Sequence, residues 1–185
     1  MRVKRKDTKK RILESALRLF SEKGIRETTI KDIAKDVGIT EGAIYRHFMS
    51  KDEIVKELFS MYSEEFYNRL VSAFEEKTYK EKFYRMVKEF LKFCFENPEA
   101  FKYLNIFHYL KAEEVKEFLK LPKDAIIKLL EEGKGVIKVR LEVALAMFVG
   151  TIEKVFLLTQ TGVIERKEGI KEEVADLLWK ALTSQ

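Results

Sequence analysis

Gly38 stands between two short apolar-periodic segments, and that arrangement leaves the chain little freedom. On its N-terminal side Ile30, Ile33, Ala34 and Val37 recur at the spacing of one helical face. Thr29, with Asp32 three residues on, is a capping pattern that starts this helix near Ile30. Gly38 suits the left-handed residue that closes a helix. Thr40 then caps a second helix, with Ile39 and Ile44 placed for a hydrophobic staple. Two short helices about a tight glycine turn make a helix-turn-helix.

The second helix divides by face. At about 100° per residue, Ile44 and Phe48 fall on one side, which must be buried. Gly42, Ala43 and Arg46 fall opposite, with Tyr45 and His47 on the flanks. That layout suits a helix lying in a DNA major groove. In such a groove Arg46 would reach a guanine edge and Ala43 a thymine methyl, while Gly42 would admit close backbone approach. Tyr45, His47 and the Thr40 hydroxyl would be placed to reach phosphates. Thr28, Thr29 and Glu41 complete the candidate DNA-binding set. A three-helix bundle with a solvated basic face fits the same pattern.

Charge separates these readings. Residues 1–51 hold 14 Lys and Arg against 7 Asp and Glu, whereas residues 52–185 hold 22 against 24. The basic excess lies entirely in the segment carrying the helix-turn-helix, as a polyanionic partner requires and a merely solvated face does not. One cysteine, Cys94, excludes an intrachain disulfide and points to a reducing cytoplasm. Met1 to Arg11 is basic and polar, without a leader pattern. The most apolar stretch, Leu141 to Leu158, is interrupted by Glu142, Glu153 and Lys154 and is too short to span a bilayer. Abundant Lys and Glu with only five Asn and Gln is a thermophile-like balance.

Around the motif, Met1 to Lys6 reads as a mobile basic arm, either touching DNA or merely solubilising. Thr8 to Lys23 reads as a first helix capped by Asp7 or Thr8 and ended by Gly24. Ser50 and Glu53 form a capping box for a long helix without a breaker until about Glu76. Lys51, in its first turn, is either a phosphate contact or a solvated charge. That helix carries two apolar stripes and so has two neighbours.

The run Thr29-Ile30-Lys31-Asp32-Ile33-Ala34, then Gly38 through Phe48, then Lys51-Asp52-Glu53-Ile54, resembles the tetracycline-repressor-like (TetR) family of bacterial transcription regulators. The resemblance covers about a third of the chain, Thr8 to Leu58. It implies an all-α protein of about nine helices: an N-terminal three-helix helix-turn-helix domain (1–49) and a C-terminal helical ligand-binding and dimerisation domain (50–185). It further implies a homodimer that leaves an operator when a small molecule binds. Positions matching Thr40, Gly42, Ala43, Tyr45, His47 and Lys51 are implied DNA contacts.

Beyond residue 76, helices are expected over Thr78 to Glu96, from Pro98 past Leu110, Asp124 to Glu132, Arg140 to Thr161 and Ile170 to Thr183. Sixteen of the 22 aromatic residues lie between Phe59 and Phe118, enough to furnish a cavity as well as a core. With the family resemblance, Tyr62, Phe66, Met86, Phe90, Phe107 and Met147 are the expected lining of a pocket for a largely apolar inducer. The helix around Gly150 is apolar nearly all round, which implies a partner on its outer side. Met147, Gly150, Lys154, Leu158, Leu178 and Trp179 are the expected dimer interface, which would read an inverted repeat. Catalysis has no support: the two histidines, His47 and His108, have no metal-spaced partners, no Gly-rich phosphate loop is present, and no cofactor is expected. A helical small-molecule-sequestering protein is the alternative, distinguished by the lack of a selected DNA site.

Overall fold

The computed structural model describes residues 2–110, 112–115 and 118–184. They form α1 (Arg2–Lys23), α2 (Ile30–Val37), α3 (Glu41–Tyr45), α4 (Lys51–Val71), α5 (Tyr79–Glu96), α6 (Pro98–Leu110), α7 (Ala112–Val115), α8 (Pro122–Glu132), α9 (Leu141–Gln160) and α10 (Ile170–Thr183). Nine helices run five residues or longer, α7 is a single turn, and no strand forms among the described residues. The fold is all-α, as the periodicity requires.

Three expected boundaries move. The segment read as an arm continues α1 back to Arg2, so neither Asp7 nor Thr8 is a cap; no Pro or Gly interrupts it. Met1 lies outside the described residues. The long helix ends at Val71 and tightens into a 3-10 turn over Ser72–Glu75, where the Ser72 hydroxyl donates to the Arg69 carbonyl at 2.7 Å. α8 begins at Pro122 rather than Asp124, because proline's fixed φ suits a first helical turn and Asp124 accepts from the Leu121 N–H at 3.3 Å.

The chain divides into two compact units, Met1–Ser63 with Pro98–Leu119, and Glu64–Asn97 with Lys120–Gln185. This differs from the break expected after residue 49, because α6 packs along α1. The Phe20 and Tyr103 rings stack with centroids 5.9 Å apart, and the buried Tyr103 hydroxyl donates to the Val55 carbonyl of α4 at 2.5 Å. Ile12, Ala16, Ile33, Ile44, Phe48, Ile54 and Leu58 fill the first unit's core, and Phe59 stacks on Phe107 at 4.0 Å.

In the second unit, Thr78 and Glu81 form a complete capping box at the start of α5. Its core joins α5, α9 and α10 through Phe83, Met86, Phe93, Phe148, Ile152 and Leu182. Phe83 meets Phe148 edge-on at 5.4 Å, and Phe66 stacks on Phe93 at 4.2 Å. No helix among the described residues is long and apolar enough to cross a membrane.

Candidate nucleic-acid interface

Side-chain caps fix the geometry of α2 and α3. The Thr29 hydroxyl accepts from the Asp32 N–H at 3.1 Å, and the Asp32 carboxylate accepts from the Thr29 N–H at 2.9 Å. The Thr29 hydroxyl also donates to the Asp32 carboxylate at 2.7 Å; that bond first, then the one from the Thr29 N–H, holds the Asp32 carboxyl below the usual carboxylate range. Gly38 turns the chain at φ 75°, a left-handed conformation that glycine adopts freely. The Ile39 N–H then closes on the Ala34 carbonyl at 3.0 Å. Thr40 caps α3 by accepting from the Ala43 N–H at 3.2 Å.

Burial follows the expected faces. Ile44 and Phe48 are fully buried, while Glu41, Gly42, Tyr45 and Arg46 are exposed and Ala43 and His47 half-buried. Tyr45 is 52% exposed, unusual for a ring with a partner inside its own subunit. At Gly42 an added Cβ would meet only the Thr40 hydroxyl oxygen, at 3.9 Å, so the packing of this subunit does not demand glycine there. α3 thus presents polar side chains about a backbone that another molecule can approach closely.

Two expected DNA contacts are engaged elsewhere. Thr28 is wholly buried, and its hydroxyl donates toward the Gly24 carbonyl at 2.9 Å and the Leu19 carbonyl at 3.3 Å. The Lys51 ammonium donates to the carbonyls of Ile25 (2.9 Å), Arg26 (3.3 Å) and Thr28 (2.9 Å), which uses all three of its protons. Lys51 is therefore a strut between the start of α4 and the loop after α1, not a free phosphate ligand. The Ser50–Glu53 box is half formed: Ser50 accepts from the Glu53 N–H, but the Glu53 carboxylate accepts from the Met49 N–H.

A further set bracing α2 from α1 had no local signal in the sequence. Ser15 donates to the Asp36 carboxylate at 2.7 Å, Arg18 pairs with Asp36, and Arg11 donates to the Val37 carbonyl at 2.6 Å. The Ser15 hydroxyl first, then Arg18, lowers the Asp36 carboxyl below its ordinary range. These residues, with Glu14 and Glu99, line an open polar cleft of about 400 Å³. Within it Arg18 and Asp36 pair with each other and Arg11 is bonded to the Val37 carbonyl.

The expected ligand set is not gathered in one unit. Tyr62 and Phe107 belong to the first, where Phe107 is committed to the stack on Phe59; Phe66, Met86, Phe90 and Met147 belong to the second. Phe66, Met86 and Phe90 are buried there, with Phe66 meeting Phe90 edge-on at 4.8 Å, and Met147 is half-buried. Of the expected dimer surface, Gly150 and Lys154 are exposed and Met147 and Leu158 half-buried. Leu178 is only 1% exposed and faces its own core; Leu177, at 58%, takes the outward position one helical step away. Trp179 is half-buried beside Tyr79, Phe83 and Tyr84, with the Lys80 ammonium 5.7 Å from its ring centroid. Val143 and Leu157 extend the exposed apolar stripe of α9. Among the described residues no cluster of three or more His, Cys, Asp or Glu is disposed to hold a metal.

Residues 12–58 match the family model described as bacterial regulatory proteins, tetR family. The HTH-type transcriptional regulator AcrR of Shigella flexneri is 44% identical over 55 residues, 30% of this chain and 26% of that protein. The HTH-type transcriptional repressor KstR2 of Mycobacterium tuberculosis is 51% identical over 47 residues, 25% of this chain and 24% of that protein. The matched stretch therefore spans about a quarter of these relatives' length. Over the whole chain, the fold is that of a TetR family transcription regulator from Marinobacter aquaeolei (TM-score 0.83, 20% identity, 100% of both chains). It is also that of the fatty acid degradation regulator FadR from Bacillus halodurans (TM-score 0.72, 24% identity, covering 94% of this chain and 98% of that one).

Proposed function

We propose that this chain, a member of the tetR family of bacterial regulatory proteins by its N-terminal domain and of that fold throughout, is a homodimeric repressor of transcription. It binds an inverted-repeat operator through α3 and is released when an apolar small molecule enters the C-terminal half. The observation carrying this reading is the face of α3: Ile44 and Phe48 locked inward, with Gly42, Tyr45 and Arg46 outward, in the segment that holds the whole basic excess. Thr29, Thr40, Ala43 and His47 flank that face and complete the DNA contacts. Lys51 and Thr28 act behind it, fixing the loop that supports α2.

Dimerisation is supported by the exposed stripe Val143, Gly150 and Leu157 on α9, with Leu177 on α10. A second copy covering that stripe sets two α3 helices at a fixed spacing, which an inverted repeat mirrors. The apolar ligand is supported by the aromatic and Met-rich interior around Phe66, Met86 and Phe90. Two proteins of the same fold are named as fatty acid regulators, one from Bacillus halodurans and one from Clostridium perfringens; a long acyl chain is accordingly the first ligand class to screen.

Release requires the ligand to bind better to an arrangement that DNA does not tolerate, a coupling of typically ~1–3 kcal/mol. α4 is the element suited to carry it, since Lys51 and Phe66 lie on the same helix. Selection from a random duplex library tests the reading: an enriched inverted repeat is expected, and its absence favours the sequestering alternative. Adding a verified apolar ligand must then weaken binding to the selected duplex; unchanged affinity refutes the switch.

A further inference from the structure

α3 carries one charge of the wrong sign for DNA. Glu41 is the only acidic residue from Val37 to Lys51. Its side chain is exposed, and its carboxylate makes no hydrogen bond or ion pair among the described residues. The local task of an acidic side chain there is already done, because the Thr40 hydroxyl caps α3 on the Ala43 N–H. Two helical positions define its surroundings. Tyr45, four residues on, shares its flank, and Gly42 beside it leaves open space on the outward side.

Resting on the DNA-binding reading above, we propose that Glu41 is the specificity-determining residue of α3: its carboxylate accepts a hydrogen bond from the N4 amino group of a cytosine in the major groove. A duplex presents one phosphate charge per ~1.7 Å of axis, so an unpaired carboxylate brought against it weakens binding at every position without a matching donor. Only two major-groove groups donate, cytosine N4 and adenine N6. The adenine amino group is flanked by the N7 acceptor, which repels a carboxylate; the outer neighbour of cytosine N4 is a C–H. A carboxylate therefore selects cytosine, and Gly42 allows α3 to sit deep enough to reach it. Glu41 thus lowers binding to random DNA and restores it at the chosen pair, separating the operator from the rest of the genome.

The experiment runs selection from a random duplex library on wild type, Glu41→Ala and Glu41→Gln in the full-length protein, with circular dichroism melts to confirm folding. Wild type is expected to enrich an inverted repeat with cytosine fixed at one position of each half-site. Glu41→Ala should keep the repeat and its spacing, lose the preference at that position, and bind random duplex about tenfold more tightly at low salt, a gain that shrinks as salt screens the phosphates. Glu41→Gln, which pairs with adenine N6 and N7, should shift that position to adenine. Identical base preferences in all three proteins overturn the role of Glu41 while leaving the DNA reading intact. Failure of wild type to enrich any repeat overturns both.

Discussion

Replacing Lys51 by alanine separates two roles for one side chain. In the structure its ammonium donates to the carbonyls of Ile25, Arg26 and Thr28 at 2.9, 3.3 and 2.9 Å. A shielded hydrogen bond to a charged group contributes about 1.5–3 kcal/mol. Lys51 is half-buried, and the bond to the exposed Arg26 is the longest, so water replaces part of what is lost. Discounting for that, Lys51→Ala costs about 2 kcal/mol, a fall of roughly 4–8 °C in Tm for a chain of this size. Thermal unfolding followed by circular dichroism measures it. Affinity for the selected duplex falls too, because the loop supporting α2 loosens. Its salt dependence should stay nearly fixed, since the ammonium faces carbonyls rather than phosphate. A phosphate contact would instead lower the log–log salt slope by about 0.9. Fluorescence anisotropy titrations at several salt concentrations distinguish the two. Lys51→Arg keeps the charge but spreads its donors in a planar fork, so it should recover only part of the Tm. A slope lowered by about one in Lys51→Ala, with Tm unchanged, refutes the strut.

Gly150→Ala should stabilise the isolated helix by up to ~1 kcal/mol, since among the described residues nothing lies within 4 Å of the added Cβ. If a second copy packs there, sedimentation should show a weaker dimer, and an unchanged dimer constant removes Gly150 from the interface. At Gly133 an added Cβ would lie 2.0 Å from the Tyr79 hydroxyl oxygen and 2.4 Å from its ring carbon, so Gly133→Ala should cost about 1–3 kcal/mol. Tyr79→Phe should be nearly neutral, because that buried hydroxyl has no hydrogen-bond partner among the described residues, and should relieve part of the Gly133→Ala loss in the double variant. Asp36 is held below the ordinary carboxylate range, so its stabilisation is fully present above the ~3.9 of an unstructured aspartate and lost as pH falls through its lower folded value. Asp36→Asn should therefore melt below wild type at pH 7, modestly because the pair with Arg18 is open to water, with the gap closing in acid; a gap independent of pH refutes the assignment.

What the sequence made legible was local. Thr29 with Asp32, Gly38, and Thr40 before Ala43 act within four residues of themselves, and each does what its spacing implies. The faces of α3 were legible because one buried residue, Ile44, fixes the phase of all the others. Contacts across long separations were not. Nothing near Tyr103 signals that its hydroxyl meets the Val55 carbonyl, 48 residues away, or that α6 joins the first unit. On α10, Leu177 and Leu178 are the same residue type side by side. A step of about 100° decides which is outward, and only the packing of Leu178 against its own core sets that step.

The two expected DNA contacts that bond inside the subunit, Thr28 and Lys51, share a physical property. A lysine ammonium or a threonine hydroxyl bonds equally to a phosphate oxygen and to a backbone carbonyl, so residue type alone leaves both outlets open. The carbonyls decide. When Gly24 ends α1, with φ at 89°, the last turn and the loop after it leave carbonyls without a helical N–H. The oxygens of Gly24, Ile25, Arg26 and Thr28 lie on that stretch, and Thr28 and Lys51 are the donors that meet them. The same accounting sets Glu41 apart on the outward face of α3. Thr40 has already served the Ala43 N–H, and Phe48 and His47 close backbone bonds on Ile44. Glu41 is left with no internal group to satisfy, and it stands on the face turned to solvent. A side chain that the fold does not use, beside a glycine the fold does not need, is where recognition of another molecule has to be sought.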